Sequence, residues 1–388
     1  MKRASAAVDY DWTSKPIDER MAHQSIDPDG ITISCYENDV PSFVADDMER
    51  LYENIFSSLA QYRIYNDVLD TSTYIVRKGG QVVTVFLFRC ERATVRVLNE
   101  VIRVDEEDVA RFACYVFSRF PDIALITFKA VHADFRKLPL PYQRFNLLED
   151  IVLALPESAE AYLEKLGKSM RRNIKRHAKK LGENNPSFQY KVYAKDEIDA
   201  RMVQEIVNLN HARMTGKNKI SAFDQAETER IFRLSKICGL VGIVVIDGRI
   251  CAGAISYRAG SNYFLNVIAH DPQYDAYLLG ILCCYFTICE CIDRGGKEFH
   301  FLWGKYDYKF ALLGVERELD TLTVYRSRAR MLLNTDKILY AEFKNFLRKS
   351  LLWLRNVMHR NDRMSRIAFA PLKYLKSMKW SHSPSRRK

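Results

Sequence analysis

Two tight turns divide this chain of 388 residues into halves built in the same order. Gly79-Gly80 joins "TYIVRK" to "QVVTVFLFR", and Asp247-Gly248 joins "GIVVI" to "ICAGAISYR". Two-residue connections of this kind close β-hairpins, because their positive φ angles match the twist of the flanking strands. Helical spacing precedes each hairpin: Phe43, Met48, Leu51, Ile55 and Leu59 before the first, residues 196–214 and 225–237 before the second. Each hairpin is followed by a strand ("TVRVL"; "NYFLNVIAH"), a helix (105–120; 276–292) and another strand ("DIALITF"; "KEFHFLW"). "RFNLLEDIVLAL" closes the first half and "LDTLTVYR" the second. The order recurs about 170 residues apart, counted from Gly80 to Gly248. The expected class is therefore α/β (α+β), with two halves, each a mixed sheet flanked by helices. The boundaries expected are a flexible leader over 1–30 and an N-terminal half over 31–156. A basic linking helix and C-terminal half would cover 157–330, and a basic amphipathic helical tail 331–388.

The charge is unevenly placed. From Arg326 to Lys388 there are 17 Lys or Arg against Asp336, Glu342 and Asp362, a surplus of 14, so the first 325 residues carry −3 of the total +11. A nearly neutral body with a basic tail excludes a histone-like chain. In the tail, Ile338, Leu339, Phe343, Phe346, Leu347, Leu351, Leu354 and Met358 recur at helical spacing between basic residues. Residues 336–380 are thus read either as packed on the body or as a peripheral contact with an anionic membrane.

Residues 276–292, "AYLLGILCCYFTICECI", hold one charge, Glu290. Seventeen residues fall short of the roughly 20 a spanning helix requires, so a buried helix of a soluble body is expected. Its Cys283, Cys284, Cys289 and Cys291 then act as small core residues. No C-x2-C pair occurs among the nine cysteines, so neither a metal nor a disulfide framework is expected. With no cleavable apolar segment at the start, a reducing cytoplasm is the expected compartment, with the inner membrane face as a place of peripheral contact.

The run "SMRRNIKRHAKKLG" (169–182) joins the halves. Met170, Ile174, Ala178 and Leu181 make one apolar stripe; Arg171, Lys175 and Lys179 make a second, basic one, beside Arg172, Arg176 and Lys180. Ser169 stands where an N-cap belongs and Gly182 where a C-cap belongs. Arg171 and Arg172 in the first turn oppose the helix dipole, at about 0.3–1 kcal/mol each. An anion held by Arg171, Arg172 and Lys175 would explain them, whereas a solvated charged face is the bland alternative. Nucleic acid is not the expected ligand, since no aromatic residues interleave the charges.

These motifs resemble the GNAT acyltransferase superfamily, and more narrowly its CelD/BcsL branch of bacterial polysaccharide biosynthesis, a relative of the FemAB peptidyltransferases. "SMRRNIKRHAKKLG" is similar to that branch's Ser/Arg-rich helix, "DPQYDAYLLGILC" to its Tyr-x-x-Gly helix entry, and "FLWGKYDYKFALLG" to its strand followed by Gly-x-x-x-Tyr-Lys. The likeness covers about 156–326, and the first half in pattern only. The superfamily's glycine-rich loop is reduced here to Gly280, and Lys305 and Tyr306 stand where the branch usually has acids.

The resemblance implies acetyl-CoA or another acyl-CoA as cofactor. Tyr277, Leu279 and Gly280 would sit at its pyrophosphate, and Val267, Ile268 and Ala269 at its pantetheine and carbonyl. Tyr308 would protonate the leaving thiolate, Asp307 or His270 would act as base, and Lys309 would orient an anionic substrate or hold the loop. The implied activity is N- or O-acyl transfer, acetyl for preference, by direct attack on the thioester. The implied acceptor is a small molecule or glycan: a polysaccharide, a nucleotide-sugar or a lipid-linked envelope precursor. Two alternatives stay open: a FemAB-like transferase that uses aminoacyl-tRNA, and a non-catalytic scaffold of the same fold that binds anions or membrane.

Overall fold

The computed structural model describes residues 23–26, 30–65, 68–216 and 223–334. The first repeat supplies β1 (His23–Ile26), β2 (Ile31–Tyr36), α1 (Val44–Tyr52), α2 (Leu59–Tyr65), β3 (Ser72–Lys78), β4 (Gln81–Glu91), β5 (Thr94–Val97), α3 (Glu106–Arg119), β6 (Leu125–Val131) and β7 (Tyr142–Ala154). Two helices follow, α4 (Ala159–Lys165) and the basic α5 (Lys168–Asn184). The second repeat supplies β8 (Gln189–Ala194), α6 (Ala200–Gly216), α7 (Gln225–Cys238), β9 (Gly239–Ile246), β10 (Arg249–Ala259), β11 (Asn262–His270), α8 (Leu279–Asp293), β12 (Glu298–His300), α9 (Asp307–Ala311) and β13 (Val315–Tyr325). Caps foreseeable from the sequence start several of the helices. Asp105, Ser158 and Asp224 accept from the amides of Asp108, Ala161 and Glu227.

Thirteen strands form one mixed sheet in the order β1-β2-β3-β4-β5-β6-β13-β7-β12-β11-β10-β9-β8. Helices cover both faces, as the mixed α/β reading expects. Strands β9–β11 separate two cores. Leu279, Leu282 and Cys283 of α8 lie on one face with Ile174 and Leu181 of α5; Val203 and Ile206 of α6 lie on the other with Ile231 of α7. Cys283, Cys284 and Cys291 are fully enclosed, and burial pushes the Cys283 thiol up to about 12.

The halves are interlocked. β13, from the second half, lies between β6 and β7, and β7, from the first half, lies between β13 and β12. The β7–β13 ladder runs from Val315 opposite Val152 to Val324 opposite Tyr142. Each half completes its sheet with a strand of the other.

Three local expectations change. The segment read as a leader contains β1, paired antiparallel with β2. Helix α5 starts one residue before Ser169: its N-cap is Gly167, with no side-chain cap, and Gly182 is interior, the C-cap being Asn185. The amphipathic run of the tail lies outside the described residues. A second unit begins at Ser327, of which residues 327–334 are described. In it α10 (Arg328–Leu332) is described, capped by the Ser327 hydroxyl on the amide of Arg330. Among the described residues, no helix is long and apolar enough to cross a membrane.

Candidate functional site: a cleft at the open edge of β11

β11 is paired with β10 along its whole length, but with β12 only from Asn262 to Phe264. A bulge follows at once: Val267 faces Ile255 and Leu265 faces Ser256, leaving Asn266 out of the ladder with its amide on the Tyr257 hydroxyl at 3.1 Å. Beyond Phe264, no described strand occupies the far edge of β11.

β12 ends at His300 because the chain then turns sharply. Leu302 adopts φ 57° and Gly304 φ 87°. A non-glycine residue in this region costs of order 1–2 kcal/mol and needs support from its surroundings. The support is Lys309, 3% exposed, whose ammonium donates to the carbonyls of Phe301 (2.7 Å), Leu302 (3.0 Å) and Trp303 (2.6 Å). Burial lowers the Lys309 pKa to about 8, against the pull of Asp150.

α8 begins beside this gap. Asp271 accepts from the amide of Gln273, a short 3-10 turn covers Pro272–Tyr277, and Leu278 (φ 53°) redirects the chain into the helix. The Leu278 carbonyl accepts from both Ile281 and Leu282. Within the described residues, the amides of Leu279 and Gly280 have no partner, which leaves two donors at the positive end of a 15-residue helix. A Cβ at Gly280 would stand 2.6 Å from His270 Nδ1, so glycine is required here by the imidazole packed on it. His270 Nε2 lies 2.7 Å from Asp275 Oδ1. If Nε2 donates to that carboxylate, Nδ1 carries the lone pair, and Nδ1 is buried with no hydrogen-bond partner.

Tyr308, on α9, and Arg213, in the last turn of α6, complete a cleft of about 320 Å³ lined with Ile268, His270, Asp275 and Gly280. Burial raises the Tyr308 phenol above its ordinary value, with Cys284 adding to the effect and Arg213 opposing it. The phenol therefore stays protonated and can act as a donor.

The cleft thus gathers Ile268 and His270 of β11, Gly280 of α8 and Tyr308 of α9 from three separate stretches of sequence. Val267, Ala269 and Leu279 are buried, so only their backbone is on offer. Tyr277 instead ties the 3-10 turn to α5, accepting from Asn184 at 3.0 Å with Lys180 5.5 Å above its ring. Asp307 is exposed on the first turn of α9. Lys309 points away into the protein; its three bonds hold the loop. Arg171, Arg172 and Lys175 do not border this cleft: with Lys168, Arg176 and Lys179 they line a separate open depression of about 600 Å³ on α5. Sequence reasoning missed Arg213 and Asp275. Arg213 was readable only as a basic residue in the last turn of a helix, where the dipole favours one anyway.

Residues 168–310 match the family described as the acetyltransferase (GNAT) domain. No curated protein sequence matches the chain significantly. Among solved structures, FemX superposes with a TM-score of 0.54 at 9% identity, over 77% of this chain and 99% of FemX. The C-terminal domain of a putative lysylphosphatidylglycerol synthetase from Agrobacterium fabrum gives 0.47 at 12% identity, over 76% and 94%. L-PGS from Bacillus licheniformis gives 0.47 at 11%, over 79% and 97%. The FemX likeness is one of fold.

Proposed function

We propose that the chain is a GNAT-type acyltransferase whose donor thioester lies along the open edge of β11. The observation that carries this reading is the meeting, in one cleft, of an unpaired strand edge, two free helix amides and a protonated phenol. The residues fit an acyl-CoA: the β11 edge beyond Phe264 suits the amides of an extended pantetheine arm, and the Leu279 and Gly280 amides suit a phosphate. Bound acyl-CoA supplies the activated carbonyl. The chain aligns that carbonyl against β11, sets the His270–Asp275 pair to receive the acceptor's proton, and keeps a proton at the Tyr308 hydroxyl for the leaving sulfur. Asp275 fixes the tautomer of His270. The resemblance of the motifs supports the CelD/BcsL branch and an envelope acceptor: a glycan, a nucleotide-sugar or a lipid-linked precursor.

Thiol release from acetyl-CoA, followed with a thiol reagent in the presence of an amino-sugar panel, tests the reading, with product mass separating N- from O-transfer. Donor binding measured by calorimetry should survive Tyr308→Phe while turnover falls about a hundredfold. Binding of neither acetyl-CoA nor a longer acyl-CoA would refute the proposal.

One observation favours a second reading, in which the donor is aminoacyl-tRNA. The basic face of α5 lies apart from the cleft and is open enough for a polyanion. Transfer that depends on charged tRNA and is abolished by ribonuclease would replace the first reading with this one.

A further inference from the structure

α6 and α8 lie on opposite faces of β10 and β11. The buried side chains of α6 pack in the core that holds Val267 and Ala269; those of α8 pack in the core that holds Leu265. The cleft opens where β11 has lost its neighbour, so it is reached from both faces. The free amides of Leu279 and Gly280 come from the α8 side and Arg213 from the α6 side.

Arg213 is half-buried, and its Nε is enclosed without a hydrogen-bond partner. No carboxylate among the described residues lies within salt-bridge distance of it. Three other partly buried arginines have full partners: Arg111 has Asp108 at 3.0 Å, Arg317 both oxygens of Glu298 at 2.5 and 2.9 Å, and Arg326 the carbonyls of Phe117, Phe120 and Ile123; Arg89 also keeps an enclosed, unbonded nitrogen, but it does not line the cleft. The acid in the cleft, Asp275, is engaged by His270. A guanidinium held in a cleft wall with an enclosed, unbonded N–H is stable there at a desolvation cost that a bound anion would offset.

We infer that Arg213 receives an oxyanion carried by the acceptor, which makes the acceptor of this transferase a phosphate- or carboxylate-bearing molecule. The inference rests on the transfer reading for the word acceptor, but the oxyanion site stands on its own geometry. A planar guanidinium meets two coplanar oxygens with paired N–H···O bonds, and Lys would not reproduce that fork. The site also sets distance: the anion at Arg213 places the rest of the acceptor toward Tyr308 and His270, which line the same cleft.

Two measurements on the full chain test this. The first is the rate at which phenylglyoxal modifies Arg213, read by peptide mass spectrometry, in inorganic phosphate and in chloride at matched ionic strength. Phosphate is expected to slow the reaction at Arg213 at least threefold while leaving the exposed arginines of α5 less affected; equal rates at Arg213 would overturn the inference. The second is calorimetric binding of glucosamine, glucosamine 6-phosphate and glucosaminuronic acid, whose order tells phosphate from carboxylate. One anionic member should bind about tenfold to a hundredfold more tightly than glucosamine. Arg213→Ala should abolish that preference and Arg213→Lys restore only part, with thermal unfolding confirming that both variants fold. Equal binding of neutral and anionic sugars, or a preference that survives Arg213→Ala, would overturn it. Phosphate protection without any acyl transfer would sink the transfer reading alone, whereas transfer to neutral acceptors as fast as to anionic ones would sink the oxyanion site alone.

Discussion

Replacing Lys309 by Met sets two large terms against each other. The ammonium donates to three carbonyls of a loop that contains Leu302 in a left-handed conformation. Each carbonyl left without a partner costs about 1–3 kcal/mol, so about 6 kcal/mol is lost at the middle of that range. Met also removes the burial of a charge. The fall in the Lys309 pKa from 10.5 to about 8, at 1.36 kcal/mol per pH unit, puts that relief at roughly 3 kcal/mol. The balance is a destabilisation of about 3 kcal/mol, with the break located at residues 301–306. Urea unfolding measures the total, and amide hydrogen exchange of residues 301–310 locates it. The pH dependence gives a second check. Between about pH 8 and the ordinary 10.5 the unfolded chain binds a proton that the folded chain has released, so this residue's contribution to wild-type stability rises with pH over that window, and the rise is absent in the variant. A Lys309→Met protein with wild-type stability and unchanged exchange at 301–310 would refute the claim that this lysine holds the site's loop.

Other expectations follow from the same geometry. Gly280→Ala should lower stability by about 1–3 kcal/mol by driving a methyl group into the His270 ring, and His270→Ala in the same chain should recover most of it; additive losses in that double-mutant cycle would show that the two do not touch. His270→Ala alone should reduce turnover about a hundredfold with donor binding unchanged, and an unaltered pH–rate profile would remove it as the base. In the sheet's centre, burial alone would lower the pKa of His300, but its hydrogen bond to Asp150 (2.6 Å) and its ion pair with Glu298 (3.3 Å) outweigh that and raise it. The folded chain then keeps a proton that the unfolded chain releases near pH 6.5. This stabilisation is full below that pH and is lost as pH rises through the folded value. Asp150→Asn should cost about 3–5 kcal/mol at pH 6 and flatten the dependence, and an equally steep profile in the variant would assign it elsewhere.

The residues of the candidate site were partly visible in the chain itself. The "DPQYDAYLLG" entry to a buried helix and the "GKYDYK" loop are local patterns, and both Gly280 and Tyr308 line the cleft. The roles of their neighbours were not visible. Lys309 reads equally well as a substrate anchor or a loop clamp until its distance to three carbonyls is known. Gly280 reads as room for a ligand until His270 is seen against it. Arg213 carries no local mark at all, because what distinguishes it is its place in the cleft wall with no acid beside it among the described residues.

The repeated helix–hairpin–strand–helix–strand order, the two hairpin turns, the buried cysteine helix and the apolar stripe of α5 were determined by the sequence, since each follows from spacing and side-chain chemistry within about 20 residues, whereas β1, α4 and β8 were not read from it. The exchange of β7 and β13 between the halves, the loss of β11's partner after Phe264, and the separation of α5's basic face from the cleft were decided by the tertiary structure. The physical reason is range. Strand pairing joins residues more than 150 positions apart through backbone groups that every residue carries, so no side-chain pattern records which strand takes which place.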